Sequence, residues 1–112
     1  MSDARAIYKE GFARFAKQDL DGAIARYREA LEVDPELVLA WSALGMALSR
    51  KGEIDAAIDA ARKAVELDPE DPLGYTNLSI FYQQKGMIPE AEDAKARAMQ
   101  LGMRQQAEKG DA

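Results

Sequence analysis

The sequence predicts an all-α fold, an α-solenoid in which three helical hairpins stack side by side. Three observations support this prediction. The chain of 112 residues repeats itself with a period of 34, as the segments Asp34-Pro35-Glu36 and Asp68-Pro69-Glu70 illustrate. Apolar residues within each unit are spaced by three and four, which is typical of amphipathic helices. No run alternates with period two, so the sequence indicates no strand.

The 34-residue period is visible in columns of bulky and of small residues. These columns include Ile7, Trp41 and Tyr75; Leu20, Ile54 and Ile88; Ala23, Ala57 and Ala91; and Ala30, Ala64 and Ala98. They define three units at residues 4–37, 38–71 and 72–105 within a single domain at 1–105. A polar tail at 106–112 is expected to follow the last unit.

Each unit is predicted to contain two helices of roughly fourteen residues joined by a tight turn. Gly52 and Gly86 mark this turn in the second and third units. In the first unit, the segment Asp19-Leu20-Asp21-Gly22 is expected to form the turn and to supply an N-cap for the second helix. A calcium loop is rejected there because Lys17 and Arg28 stand where the first and last carboxylate ligands are needed.

Residues at the ends of the units suggest where helices start and stop. Asp34 and Asp68 each precede a proline, which predicts that they cap the first helix of the next unit. Gly102 is predicted to end the last helix as a C-cap. Glu92 and Lys95 lie in columns that are apolar in the second unit. We therefore expect them to face water at the end of a complete three-repeat array.

Small residues in the middle of helices indicate that paired helices approach closely. A glycine inside a helix costs about 0.5–1 kcal/mol relative to alanine, so Gly11 and Gly45 require a compensating contact. The alanine column of Ala23 and Ala57 provides a small surface for that contact. Because neither helix of a hairpin can bury its apolar stripe alone, consecutive hairpins are expected to share one continuous core.

Composition argues against several functional classes. The chain has no Cys and no His, and no phosphate-binding loop or nucleophile with a base, so we expect no enzyme, no metal and no cofactor. A net charge of -5 argues against binding of nucleic acid. No apolar segment is long enough to cross a bilayer, so we expect no membrane insertion and a cytoplasmic location.

One column pattern resembles a known family. The 34-residue helix-turn-helix unit with Trp41, Leu44-Gly45, Leu48, Ala57, Ala64 and Pro69 is similar to the tetratricopeptide repeat. The resemblance extends over all three units. It implies a right-handed superhelix in which the first helix of each hairpin lines a concave groove. It also implies a non-catalytic adaptor or scaffold that binds a peptide or helix of a partner protein in that groove.

The family's groove columns can be carried over to this sequence. They give Arg5, Tyr8, Lys9, Phe12, Leu39, Ser42, Met46, Arg50, Leu73, Thr76, Asn77, Ile80 and Gln84. The set combines apolar side chains with a polar rim, which is typical of an interaction surface. In the alternative interpretation, Phe12, Phe15 and Met46 only fill space between the first helices. The resemblance implies that Asn77 hydrogen-bonds the backbone of a bound peptide.

The resemblance also allows one binding mode to be rejected and leaves one alternative open. Family members that hold the C-terminal carboxylate of chaperones use Lys, Asn, Asn, Lys and Arg. The corresponding residues here are Tyr8, Phe12, Ala43, Leu73 and Asn77, which lack the necessary charged donors. The alternative function is self-assembly into a homo-oligomer through the groove or through the C-terminal end. Met99, Leu101 and Met103 would supply the contacts at that end.

Overall fold

The computed structural model describes residues 3–110 of the chain, and these residues form six helices and no strand. The helices are α1 (Ala4–Ala16), α2 (Leu20–Val33), α3 (Val38–Lys51), α4 (Ile54–Leu67), α5 (Pro72–Lys85) and α6 (Ile88–Gly110). They pair as three hairpins, α1 with α2, α3 with α4 and α5 with α6, and each hairpin packs on the next. The predicted all-α solenoid is confirmed.

Glycine makes the tight turn within the second and third hairpins, as predicted. Gly52 has a φ of 91° and Gly86 a φ of 85°, a left-handed conformation that favours glycine. In the first hairpin this conformation is adopted by Gln18, with a φ of 65°. The N-cap expected in this turn is supplied by Asp19, whose side chain accepts a hydrogen bond from the backbone N–H of Gly22 at 3.0 Å.

The predicted N-caps at Asp34 and Asp68 are wrong. Both residues instead end the preceding helix, because their backbone N–H groups donate to that helix at 2.9 Å. α3 begins only at Val38 and α5 only at Pro72. The side chain that caps α5 belongs to Asp71, and the proline that follows it occupies the first turn, where its missing N–H costs nothing.

Helices within a hairpin approach closely at the small residues, as predicted. Ala23, Ala57 and Ala91 are fully buried. A methyl group on Gly45 would lie 3.2 Å from the ring of Phe81 and 3.3 Å from the backbone oxygen of Ala57. The glycine in α3 therefore admits both its hairpin partner α4 and the Phe81 ring of the next hairpin into one core.

The last helix extends well past the predicted end. Gly102 lies inside α6, so its prediction as a C-cap is wrong. Leu101 is only 1% exposed, which anchors this part of α6 to the core. Arg104 forms an ion pair with Glu70, and the Gln105 side chain donates to the Glu70 backbone oxygen at 3.0 Å. These contacts hold the extension against the loop between α4 and α5.

Two further expectations concern the end of the chain. Residues 106–110 of the expected polar tail belong to α6, whereas Asp111 and Ala112 lie outside the described residues. Glu92 and Lys95 are exposed on α6, as predicted. Within residues 3–110, no helix has the length and apolar character needed to span a bilayer.

Candidate protein-binding groove

The first helices of the three hairpins line an open apolar cleft of about 240 Å³. We call this cleft the groove. Its lining residues come mainly from α1, α3 and α5. They are Tyr8, Phe12, Phe15, Tyr27, Leu39, Ser42, Ala43, Met46, Leu73 and Asn77. No charged side chain belongs to this lining, so the groove offers apolar contacts and a small number of hydroxyl and amide groups.

The groove presents apolar side chains that helical spacing directs away from the core. Tyr8, Phe12 and Phe15 are four and three residues apart, and therefore lie on one face of α1. Phe12 and Leu73 are each 56% exposed, and Leu39 is 47% exposed. This exposure does not support the alternative for Phe12, whereas Phe15 and Met46 are half-buried and Phe15 packs against the core. A contiguous patch of this kind is typical of an interaction surface.

Tyr27 of α2 forms the floor of the groove, although the repeat pattern did not indicate it as a groove residue. A methyl group on Gly11 would lie 2.7 Å from the Tyr27 ring, so the glycine in α1 makes room for it. The ring centroids of Tyr27 and Tyr8 are 5.8 Å apart. Burial raises the pKa of Tyr27 to about 12, because the phenolate would lose its hydration there.

Asn77 of α5 is the most buried polar side chain of the groove. The residue is 6% exposed. Its amide forms no side-chain hydrogen bond within residues 3–110, yet it lines the groove. Since no buried side-chain nitrogen or oxygen within the described residues lacks a hydrogen-bond partner, the amide atoms of Asn77 are themselves open to solvent from the groove. The Asn77 amide is therefore available, as donor and acceptor, to whatever occupies the groove.

The helices that form the groove contain few acidic residues and therefore carry a net positive charge. α1, α3 and α5 carry six basic side chains and one acidic side chain, in a chain whose net charge is -5. Three of the six are paired with carboxylates of neighbouring segments. The other three, Arg5, Lys9 and Arg50, have no carboxylate within 4.0 Å in the described part of the chain. The Arg50 guanidinium lies 4.7 Å from the ring centroid of Phe15.

The structure brings together some of the predicted groove residues and separates others. Seven of the thirteen line the groove: Tyr8, Phe12, Leu39, Ser42, Met46, Leu73 and Asn77. Arg5, Lys9 and Arg50 are exposed but lie outside the lining. Thr76 and Ile80 line a second hollow between α5 and α6. Gln84 instead accepts a hydrogen bond from the Ser49 hydroxyl at 2.7 Å.

Acidic residues do not form a metal site in the described structure. Within residues 3–110, no group of three or more carboxylates is placed to hold a metal ion. The chemistry of the groove therefore consists of apolar contact, the Asn77 amide and the neighbouring cations.

Comparison with known proteins agrees with this architecture. A family model described as tetratricopeptide repeat matches residues 8–72, and a second model with the same description matches residues 60–93. No curated protein sequence matches the chain significantly.

Solved structures with a similar fold include several that are longer than this chain. A structure titled "Crystal structure of MamA" superposes with a TM-score of 0.91 at 26% identity, over 94% of this chain and 61% of the other. A structure of a CopN-Scc3 complex superposes with a TM-score of 0.84 at 24% identity, over 88% of this chain and 58% of the other. The first tetratricopeptide repeat domain of Spaghetti (RPAP3), bound to an HSP90 peptide, superposes with a TM-score of 0.86 at 20% identity. The match covers 88% of this chain and 79% of the other. This chain thus spans about three-fifths of the first two.

Proposed function

Because the chain belongs to the tetratricopeptide repeat family, we propose that it is a non-catalytic adaptor whose groove binds a segment of a partner protein. The observation that carries this proposal is the amide of Asn77, whose polar atoms open into an apolar cleft and have no side-chain hydrogen bond among the described residues. An amide in this position can bond a peptide backbone while apolar side chains enter the cleft beside it.

The charges around the groove favour a particular kind of partner segment. Arg5, Lys9 and Arg50 stand beside an uncharged apolar lining and are free of intramolecular ion pairs in the described part of the chain. A segment with apolar side chains that enter the groove and acidic residues that flank them complements this arrangement. We expect a dissociation constant in the micromolar range, which corresponds to a binding free energy of about 8 kcal/mol, because the groove spans only three repeats.

The peptide held by the Spaghetti domain is not the ligand that we infer for this chain. That peptide has the sequence SRMEEVD in its title. A terminal carboxylate requires charge-assisted donors. The positions that would supply them here are occupied by Tyr8, Phe12, Ala43, Leu73 and Asn77, none of which carries a charge. We infer that the acidic groups of the partner contact the rim of the groove rather than its floor.

Selection from a displayed library of random peptides tests this function, because every kind of short segment competes for the groove. Peptides that bind the wild-type protein should contain apolar residues next to Asp or Glu. Met46→Glu places a charge inside the groove and should weaken these peptides at least about tenfold. Met99→Glu is the matched control, since it makes the same change on an exposed residue outside the groove.

The result that would overturn the groove assignment is equally direct. Circular dichroism should show that both variants keep the helicity and melting cooperativity of the wild type. If the selected peptides then bind Met46→Glu as tightly as they bind Met99→Glu, the groove is not their site. An Arg50→Glu variant should lower affinity most for the peptides richest in acidic residues.

Self-assembly is a second candidate function, and exposed apolar side chains at the C-terminal end favour it. Met99 is 59% exposed and Met103 is 69% exposed on α6. Leu101, the third residue expected to contribute, is only 1% exposed and cannot make this contact. Light scattering over a concentration series tests self-assembly, because a protein that stays monomeric throughout lacks it.

A further inference from the structure

Within residues 3–110, no further helix covers the outer face of the last hairpin, whereas a following hairpin covers the other two. Ile24, Tyr27 and Leu31 of α2 are 6%, 1% and 8% exposed because the next hairpin packs on them. The positions one repeat further, Ile58 and Ala61 of α4, are buried in the same way. The third copy of these positions is Glu92, Lys95 and Met99, and all three are exposed on α6.

The two internal seams show how a helix would cover this face. α4 and α5 are joined by a short loop and run antiparallel, so residues equally distant from the loop face each other. Gly74 demonstrates this register, because a methyl group on it would lie 2.9 Å from Cγ2 of Val65. The same register places Ala61 opposite Leu78. Both residues are buried, at 2% and 6% exposure.

If the same register applied to a second copy stacked on the outer face of α6, its α1 would pack there with the following residues opposite each other. Met99 corresponds to Val65 and meets Ala6 of the second copy, which corresponds to Gly74. Lys95 then lies opposite Glu10 of the second copy. Glu92 lies beside its Arg14. In each pair the two residues carry opposite charges, although the equivalent residues in the internal seams are apolar. Exposure to water would account for charged residues at these positions, but not for their pairing by opposite sign.

We propose that the protein associates head to tail, with α1 of one copy stacked on α5 and α6 of another in the register of the internal seams. This inference assigns the contact surfaces for the second candidate function and is independent of the groove. The contact is heterologous, so it leaves a free end on each side and produces open chains rather than closed dimers.

The strength of this contact is limited by pairs that already exist within one copy. Arg14 lies 3.0 Å from Asp19, and Glu10 lies 3.6 Å from Arg26. These side chains are exposed, so salt screens their charges. Glu10 and Arg14 would also have to interact with the second copy while they remain paired within their own copy. We therefore expect weak association that increases with protein concentration and decreases with salt.

A charge-exchange series measured by analytical ultracentrifugation tests the charged pair. Glu10→Lys and Lys95→Glu should each reduce the association of the wild-type protein, since each places like charges opposite each other. The double variant should restore association, because the pair is then reversed. Lys109→Glu is the matched control on the same helix and should associate like the wild type. A wild type that is monomeric up to about 1 mM, or a double variant as weak as the single ones, would overturn the proposal.

Cysteine cross-linking tests the register, and the chain suits it because it contains no cysteine. Ala6→Cys combined with Met99→Cys should form a ladder of disulfide-linked species on mild oxidation. Each single variant should remain monomeric. A Met99→Cys variant that dimerises as efficiently as the double variant would show a tail-to-tail contact instead, and a double variant that forms no ladder would also contradict the register.

The groove and the outer face of the last hairpin can be tested separately when each variant is measured in the assay of the other surface. Met46→Glu, added to the cysteine pair, should leave the ladder unchanged. Met99→Glu should reduce the sedimentation coefficient at high concentration while it preserves binding of the selected peptides. Failure of the head-to-tail contact is therefore distinguishable from failure of the groove.

Discussion

Replacement of Gly102 by alanine tests the continuity of α6 most directly. Gly102 lies inside α6, and apart from the backbone of its own helix and its two chain neighbours no described atom lies within 4 Å of the position that its methyl group would occupy. Alanine is more favourable than glycine inside a helix by about 0.5–1 kcal/mol. Gly102→Ala should therefore raise the free energy of unfolding by that amount. For a domain of this size the midpoint of thermal unfolding should rise by about 2–6 °C.

Gly52→Ala is the matched control, and its expected effect has the opposite sign. The space around Gly52 is equally empty, but its φ is 91°. A left-handed conformation costs a residue with a side chain roughly 1–2 kcal/mol. Urea unfolding followed by circular dichroism at 222 nm measures both changes. If Gly102→Ala destabilised the protein as Gly52→Ala does, Gly102 would be a C-cap in solution and α6 would end there.

Three further predictions concern the core. The wild-type protein should lose stability above roughly pH 10, because Tyr27 ionises there in the unfolded chain but keeps its proton up to about pH 12 in the folded one. The Tyr27→Phe variant should not show this part of the loss. Urea unfolding at several alkaline pH values checks this. Phe81→Ala should cost about 3–5 kcal/mol of unfolding free energy in urea, since the ring is 1% exposed against Gly45. Ala57→Leu should cost about 1–3 kcal/mol by overpacking, and calorimetry should show a lower melting temperature.

The hairpins were predictable from sequence because their determinants are local and repeated. Gly52 and Gly86 occupy equivalent turns that need a positive φ, and Gly45 needs a close neighbour. The loops between hairpins were less predictable. An aspartate before a proline can end one helix or begin the next, and the side chain of Asp34 makes a local turn by accepting from the Glu36 N–H at 3.0 Å. Only tertiary packing fixes how far the loop runs.

The groove was partly predictable, because helical spacing shows which side chains share a face but not how far they reach. Leu73 and Asn77 line the cleft, on the side of α5 that their columns indicate. Tyr27 was missed because its column contains alanine and lysine in the other units, so the period alone gives no groove residue there. The signal that could have found it was Gly11, whose missing side chain admits an aromatic ring from the paired helix. Size complementarity between helices carries information that periodicity does not.

The groove and the end of the array are connected through α5. Thr76, Ile80 and Met99 border the hollow between α5 and α6. The residues equivalent to Thr76 and Ile80 in the first hairpin are Tyr8 and Phe12, which line the groove together with residues of α3. A second copy stacked in the same register would convert the end hollow into a continuation of the groove. A ligand long enough to cross the junction would bind the assembled form more tightly and, by linkage, would promote assembly. A tandem peptide should therefore increase the sedimenting mass at constant protein concentration, whereas a single-site peptide should not. Equal effects of the two peptides would show that the surfaces act independently.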